Sequence, residues 1–443
     1  MTIPLYSVRS MANFPSPTQI IEELNDNNSF IDPLSPHPRQ GEVEAAKYIY
    51  DLAQKFSLGN AHIVPLPRTP TFDPYTKVEP ALSNVVIDVG EGTEEILFFH
   101  GHFDVVPPKD YHGKSHDIVR RPDGELRGLG SYDMLPGVAA ILTALRGIQV
   151  AKHRRIRAIL VCGEENDSEG THAAFDRTKN LFNFAGRRAA LSTEITVGAT
   201  INDPYHLVVG RPGRYTYDLL LEGLMRHSGE ADIEDLDKMT LQRLAAADRA
   251  AANSALKFPK HPNDTDKLFD KNARIALEHA HTAKPGSLST PGDGEARFNV
   301  HYANPSLTAA DIQLMIHESI KEALGDEHFI LGKTERTVPW LRPWLERVDE
   351  GSFARSVQSI ASKVVSERSR KQQYVQFRAG KGVADENIIS QHGIPIMCIP
   401  PQGEGAHKEV ERSNVNSVTE FQTPVLQAAA AYDGVLCPEQ EEA

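Results

Sequence analysis

The feature that most constrains this chain is a series of short, uninterrupted apolar runs separated by helical patterns. Val85–Val89, Ile96–Phe99 and Ile156–Cys162 predict strands, and apolar runs without polar alternation are typical of strands covered on both faces. Pro136–Leu145 predicts a helix whose proline lies in the first turn, where its missing N–H costs nothing. Ile394–Ile399 predicts a late buried strand. The expected fold class is α/β, a mostly parallel mixed sheet with helices on both faces.

The pattern changes between residues 207 and 337. Strands are predicted at Leu207–Leu221, Ile275–His281, Ala296–Tyr302 and Phe329–Leu331, and helices at Asp235–Leu256 and Thr308–Leu324. Thr308 and Asp311 fit a helix cap, and Gly325 fits the end of that helix. We therefore expect an inserted α+β domain, 207–337, within a discontinuous catalytic domain formed by 1–206 and 338–443.

Composition excludes several classes of partner. The 443 residues carry a net charge of −13, which argues against nucleic acid or an anionic membrane as the main partner. No apolar run approaches the length of a membrane span, and the first residues lack the apolar stretch of a signal peptide. The three cysteines are far apart in the sequence, which indicates a reducing compartment. A cytoplasmic protein is expected.

Imidazole and carboxylate groups recur where predicted strands end. His102 follows the run Ile96–Phe99, and Glu164 and Glu165 follow Ile156–Cys162. Such groups are the ligands of hydrolytic metal sites, and the ends of parallel strands collect them. The candidate ligands of two metal ions are His102, Asp133, Glu165, Glu194 and His407. The carboxylate of Asp133 could bridge the ions, and Asp104 is placed to accept the second imidazole N–H of His102.

The adjacent pair Glu164 and Glu165 suggests a division of roles. Neighbouring residues of an extended segment point to opposite sides, so one carboxylate can bind metal while the other faces the substrate. A metal-bound water, with its pKa lowered towards roughly 7, needs a base beside it. The same base can return the proton to the leaving amine, and Glu164 is the candidate.

These residues lie in motifs that resemble one enzyme family, from about Glu22 to Val418. The motifs are HFDVVP at 102–107, GLGSYDMLPG at 128–137, GEE at 163–165, TEIT at 193–196, GRPG at 210–213, RHSG at 226–229 and GEGAHKEVE at 403–411. They resemble the dinuclear zinc amidohydrolases and peptidases that include acetylornithine deacetylase, succinyl-diaminopimelate desuccinylase and carboxypeptidase G. The resemblance implies a zinc-exopeptidase-like fold with an inserted lid and dimerisation domain.

The resemblance also implies roles for individual residues. One metal would be held by His102, Asp133 and Glu194, and the other by Asp133, Glu165 and His407. Glu164 would be the general base, and Asp104 would orient His102. His227, from the inserted domain, would stabilise the oxyanion, in a homodimer from the partner subunit. A cis peptide is implied at Asp133–Met134. Two divalent ions are expected, zinc above all, with cobalt or manganese as alternatives.

The chain departs from the family where substrate is bound. Ile195 replaces the proline expected after the third carboxylate, which leaves Asp203 as an alternative ligand to Glu194. Asn387 lies where deacylases often have arginine. Arg211 and Asn387 are the substrate-binding candidates, and a carboxylate clamp could also use Arg214, Arg226, Arg378 or Lys381.

The predicted function is metal-assisted hydrolysis of an amide or peptide bond in a small substrate. An N-acyl-amino-acid deacylase or an exopeptidase acting on short peptides fits the resemblance. Two alternatives stay open: a non-catalytic homologue that binds metal or ligand, and a ureido amidohydrolase on the same scaffold.

Overall fold

The computed structural model describes residues 13–26, 39–67, 82–106, 118–177, 180–221, 233–282, 294–325, 329–331, 340–408 and 411–436. The chain divides into two compact units, Met1–Gly210 with Glu346–Ala443, and Arg211–Leu345. The smaller unit therefore begins four residues later and ends eight residues later than the predicted insertion. Among the described residues, no helix is long and apolar enough to cross a membrane.

The larger unit is built around a mixed central sheet. Its strands are β1 (Asn60–Pro65), β2 (Ser83–Val89), β3 (Glu95–His102), β6 (Arg154–Val161), β7 (Arg187–Ser192), β8 (His206–Arg211), β14 (Gln376–Ala379) and β15 (Ile396–Cys398). They lie in the order β1-β2-β6-β3-β7-β15-β8, with β14 beside β8. The inner neighbours β6, β3, β7 and β15 are mutually parallel, which confirms the predicted fold class.

The apolar runs explain why the inner strands occupy the centre. Every residue of β3 is buried, and β3 pairs with β6 on one side and β7 on the other. The helices of this unit are α1 (Pro17–Asp26), α2 (Gln40–Lys55), α3 (Leu135–Leu145), α4 (Glu169–Ala174), α7 (Phe353–Ser369), α8 (Asp385–Gln391) and α9 (Thr423–Ala431). Helices α1, α3, α7 and α9 pack in one group, while α2 packs on β1 and β2.

A second, smaller sheet lies in the same unit. It contains β4 (Val119–Arg120), β5 (Glu125–Arg127), β16 (Gly403–Glu404) and β17 (Arg412–Asn414), in the order β16-β17-β5-β4. This small sheet matters because its loops carry two of the predicted metal ligands. The loop that follows β5 carries Asp133, and the loop between β16 and β17 carries His407.

The smaller unit has its own antiparallel sheet. Strands β9 (Gly213–Leu221), β10 (Ala273–Thr282), β11 (Gly294–Tyr302) and β12 (Phe329–Leu331) lie in the order β10-β11-β9-β12. The short strand β13 (Trp344–Leu345) comes later in the chain and is not part of this sheet. Helices α5 (Ile233–Ser254) and α6 (Ala309–Leu324) pack on each other. The predicted cap of α6 is confirmed, because Thr308 and Asp311 form a reciprocal capping box.

One predicted strand is wrong in its extent. The segment Leu207–Leu221 forms two strands, β8 and β9, separated by Pro212. Proline has no N–H to donate to a ladder, so the chain leaves the central sheet at this residue. The alternating pattern of the sequence continues through the break, which is why it predicted a single strand.

Candidate metal centre

Three of the predicted ligands converge because their strands are parallel neighbours. His102 ends β3, Glu165 follows β6, and Glu194 follows β7. Since these strands run in the same direction, their carboxyl ends meet at one edge of the sheet. The remaining two ligands, Asp133 and His407, come from the loops of the small sheet.

The carboxylate of Asp133 lies at the centre of the cluster. Its Oδ1 is 3.3 Å from Nε2 of His102, and its Oδ2 is 3.3 Å from Nε2 of His407. Nε2 of His102 is also 3.3 Å from Oε2 of Glu194. Nε2 of His407 is 2.9 Å from Oε1 of Glu165. Each oxygen of Asp133 thus faces a different imidazole, and each imidazole has a further carboxylate beside it.

The side-chain atoms suit divalent ions. His102, Asp133 and Glu165 each offer a ligand atom, and these atoms lie within 4.8 Å of one another. Nε2 of His102 and Oδ1 of Asp133 are buried without a hydrogen-bond partner among the described residues. Leaving such groups unsatisfied costs about 1–3 kcal/mol each. Coordination by a cation would satisfy both, because imidazole nitrogen and carboxylate oxygen are zinc ligands.

The electrostatics of the cluster also call for positive charge. Burial and the nearby Asp133 raise the pKa of Glu165 to about 7. Hydrogen bonds to Asp133 and Glu165 raise the pKa of His407 to about 11. Burial opposes protonation of His102, but Glu194, Asp104 and Asp133 together raise its pKa well above the ordinary value. The clustered negative charge thus favours the protonated forms of these side chains. Bound cations would balance the same charge in place of the protons.

Glu164 differs from Glu165 in its surroundings. Burial raises the pKa of Glu164 well above the ordinary value of a carboxyl group; His102 opposes this shift, while Asp385 and Glu165 add to it. A carboxylate with a raised pKa accepts a proton more readily. Among the described contacts of the side chains, His407 pairs with Glu165 and not with Glu164, in keeping with separate roles for the two residues.

Asp104 supports two parts of the site. Nδ1 of His102 is 2.9 Å from the backbone oxygen of Asp104 but 3.5 Å from its carboxylate. The carboxylate instead accepts the backbone N–H groups of Glu164 at 3.1 Å and Glu165 at 3.0 Å. The backbone of Asp104 therefore orients the imidazole, while its side chain holds the turn that carries the two glutamates.

The two candidates for the third carboxylate lie in different environments. Glu194 is buried and beside His102. Asp203 forms an ion pair with Arg378, at 2.6 Å between Oδ2 and Nη1, and this contact lowers the pKa of Asp203. The geometry therefore favours Glu194 as the ligand. Arg378, one of the clamp candidates, is engaged by Asp203 in an ion pair.

The remaining site candidates are the residues predicted to bind substrate or to stabilise the oxyanion. Asn387 is fully buried, and its side-chain oxygen accepts the backbone N–H of Ala384 at the start of α8, a capping contact and not an exposed binding position. Arg211 is 1% exposed at the end of β8. His227 and Arg226 lie outside the described residues.

The peptide bond Asp133–Met134 is cis, as the resemblance implies.

Some residues of the site were missed by sequence reasoning. Glu411 accepts backbone N–H groups from the loop that carries Asp133. Tyr132 donates its hydroxyl to the backbone oxygen of Thr196 at 3.0 Å, in the segment after Glu194. His100 is buried 3.0 Å from Oγ1 of Thr171. The sequence signals were the family motifs, since Glu411 closes the last motif and Tyr132 lies in GLGSYDMLPG at 128–137.

Comparison with known proteins agrees with this geometry. A family model described as peptidase family M20/M25/M40 matches residues 98–429. A succinyl-diaminopimelate desuccinylase of Rhodopseudomonas palustris (strain BisA53) is 22% identical over 365 residues, which is 80% of this chain and 85% of the relative.

Solved structures share the fold. An M20 family metallo-carboxypeptidase from Sulfolobus solfataricus has a TM-score of 0.65 at 12% identity, over 95% of this chain and 99% of that one. A dinuclear metal-binding peptidase of the M20 family from Bacillus subtilis has a TM-score of 0.54 at 14% identity, over 94% and 97%. The family match covers most of the chain and includes every predicted metal ligand. The protein is therefore a metal-binding hydrolase of amide or peptide bonds that belongs to the peptidase family M20/M25/M40.

Proposed function

We propose that the protein is a dinuclear metal-dependent hydrolase that removes an acyl group or a terminal residue from a small N-acyl amino acid or short peptide. The observation that carries this proposal is the central position of Asp133, whose two oxygens face two different imidazoles. A single carboxylate between two histidines is suited to bridging two ions. His102 and Glu194 would complete one ion's protein ligands, and Glu165 and His407 those of the other.

The proposed ligand set consists of imidazole and carboxylate groups only, which suits zinc. When bound, the ions would polarise the scissile carbonyl and make a water molecule more acidic. Glu164 takes the proton from that water and delivers it to the leaving amine. A carboxylate that is not itself a metal ligand can serve in both halves of this transfer.

The substrate assignment rests on similarity to relatives and is accordingly broad. A desuccinylase relative acts on an N-acyl substrate by its name, and a metallo-carboxypeptidase shares the fold. We assign the inserted unit the lid and dimerisation role that the resemblance implies. Light scattering tests the homodimer, and a monomer at all concentrations contradicts it.

The test is a hydrolysis screen with the purified full-length protein. The protein is stripped with a chelator, reconstituted with Zn²⁺, Co²⁺ or Mn²⁺, and assayed against N-acyl amino acids, dipeptides and ureido compounds. We expect turnover of the first or second class only after reconstitution. Ammonia release from ureido substrates would favour the ureido alternative, and metal binding without any turnover would favour a non-catalytic homologue.

The role of Glu164 is tested by assaying the Glu164→Gln variant with the best substrate found in the screen. Loss of a general base costs about 100- to 10,000-fold in rate, so a loss of that size in kcat is expected with both metals still bound. Asp167→Asn is the matched control, because Asp167 is an exposed acid three residues further along the same turn. Wild-type kcat in Glu164→Gln would contradict the mechanism.

A further inference from the structure

The carboxylate of Glu411 is buried inside the loop that carries Asp133. The residue is 2% exposed. Its Oε1 accepts the backbone N–H groups of Tyr132 at 2.9 Å and Asp133 at 2.6 Å, and its Oε2 accepts that of Gly130 at 3.1 Å. One side chain therefore satisfies three backbone donors within four residues.

The backbone of Glu411 adds two contacts to the same loop. Its carbonyl oxygen accepts the N–H of Gly128 at 3.3 Å and the hydroxyl of Ser131 at 3.1 Å. Burying a carboxylate is costly unless it is hydrogen-bonded, and charge-assisted bonds to backbone N–H groups are among the stronger ones in proteins. The loop is thus wrapped around a single residue that lies about 280 positions away in sequence.

The contact matters for the metal centre because Glu411 lies close in the chain to the proposed ligand His407. Glu411 lies four residues after His407, and the bond to Asp133 N is the shortest of the set. The facing groups Asp133 Oδ2 and His407 Nε2 are 3.3 Å apart. The carboxylate of Glu411 therefore joins the two loops that supply these groups.

We infer that Glu411 is a positioning residue for the metal centre: it sets the separation of Asp133 from His407 by holding the Gly128–Asp133 loop against the start of β17. This inference rests on the proposed function, because it assumes that Asp133 and His407 share a metal ion. In the contacts given above, the carboxylate of Glu411 accepts backbone N–H groups of the loop that carries Asp133.

The experiment compares Glu411→Gln with Glu411→Asp in the full-length protein. An amide keeps the size of the side chain but offers one acceptor oxygen, so its NH₂ group would face at least one backbone N–H. Aspartate keeps both oxygens on a shorter side chain. The matched control is Glu125→Gln in β5, which removes a carboxylate from the same small sheet, where it pairs with Arg127 and Arg412.

The first measurement is Co²⁺ binding to the stripped protein, followed by its visible absorption spectrum. Loss of a residue that orients metal ligands typically weakens metal affinity about 10- to 100-fold. We expect that loss and an altered Co²⁺ spectrum in Glu411→Gln, and a smaller loss in Glu411→Asp. The control should bind and absorb like the wild type.

The second measurement is the melting temperature of the metal-free proteins, which separates folding from positioning. A folded Glu411→Gln protein with wild-type Co²⁺ affinity and spectrum overturns the inference, even if its melting temperature has fallen. If Glu411→Gln does not fold, Glu411→Asp decides in the same way. Wild-type protein that binds no Co²⁺ would instead contradict the proposed function, so the two failures are distinguishable.

Discussion

The carboxylate of Asp104 accepts the backbone N–H of Glu164 at 3.1 Å. A second bond, from Glu165 to the other carboxylate oxygen, makes the contact bidentate. The imidazole of His102 is held by the backbone oxygen of Asp104, which any substitution of the side chain leaves in place. The side chain of Asp104 is thus more closely linked to the turn that carries Glu164 and Glu165 than to the imidazole of His102.

Asp104→Asn separates these two roles. The amide NH₂ would face one of the two backbone N–H groups, so the turn that carries Glu164 should move. We expect kcat to fall about 100-fold, the lower end of a general-base contribution, and Co²⁺ affinity to weaken as well, because the same turn carries the proposed ligand Glu165. The measurements are steady-state kinetics and metal titration. A large loss of metal affinity at unchanged kcat would instead assign the carboxylate to His102.

Substitution of the ligands should reveal which ion each one holds. His102→Ala and His407→Ala should each leave one tightly bound ion, because each imidazole faces a different oxygen of Asp133. Asp133→Asn should weaken both ions. Metal content after dialysis, measured by atomic emission, checks this. Asp203→Asn is the control and should keep two ions, and loss of an ion in that variant would reopen the choice between Asp203 and Glu194.

The buried His206 should make the metal-free protein sensitive to acid. Burial lowers the pKa of His206 to about 4, and its Nε2 lies 3.0 Å from the hydroxyl oxygen of Thr196. The unfolded chain, with a histidine pKa near 6.5, binds more protons between about pH 6.5 and 4. Stability is therefore complete above pH 6.5 and falls as pH decreases through that window.

The expected size of this effect is roughly 3 kcal/mol, at about 1.4 kcal/mol for each unit of pKa difference. Urea unfolding of the stripped protein across pH 4 to 7 measures it. His206→Gln should show a shallower dependence of the unfolding free energy on pH. Equal slopes in the two proteins would contradict a neutral buried histidine.

The ion pair of Arg154 and Glu95 should be a major determinant of stability. Both side chains are fully buried, and Nη2 of Arg154 is 2.6 Å from Oε2 of Glu95. Nη1 of Arg154 also donates to the backbone oxygens of Ala429, Ala430 and Tyr432 at the end of α9. Removing one partner of a buried pair costs about 3–5 kcal/mol, and we expect this loss in Arg154→Met.

Arg347→Met is the matched control, because Arg347 pairs with Asp349 on the exposed surface. Exposed pairs contribute little to stability, because both charges stay hydrated. Chemical denaturation measures both variants. Similar losses in the two proteins would contradict the importance of burial.

The sequence predicted what depends on local pattern. The strands β3 and β6 follow from their apolar runs, and their parallel arrangement brings His102 and Glu165 together. The choice between Glu194 and Asp203 could not be made from the sequence. Both acids lie between β7 and β8, and they are separated by the contact of Glu194 with His102 and the ion pair of Asp203 with Arg378.

Contacts between distant segments were beyond prediction. The partners of the Glu411 carboxylate lie 278 to 281 residues away, and no periodicity or spacing indicates them. Asn387 was judged by its place in a motif, whereas its burial and capping contact depend on how α8 is packed. Asp104 was assigned to His102 as a side chain, although the backbone makes the closer contact.

The place of β15 in the central sheet affects how the protein is made. Strand β15 (Ile396–Cys398) lies between β7 and β8. During synthesis these two neighbouring strands leave the ribosome about 200 residues before β15 does. Until then β7 has an open apolar edge of the kind that recruits other chains. Nascent chains should consequently depend on chaperones until about the first nine-tenths of the sequence have been synthesised.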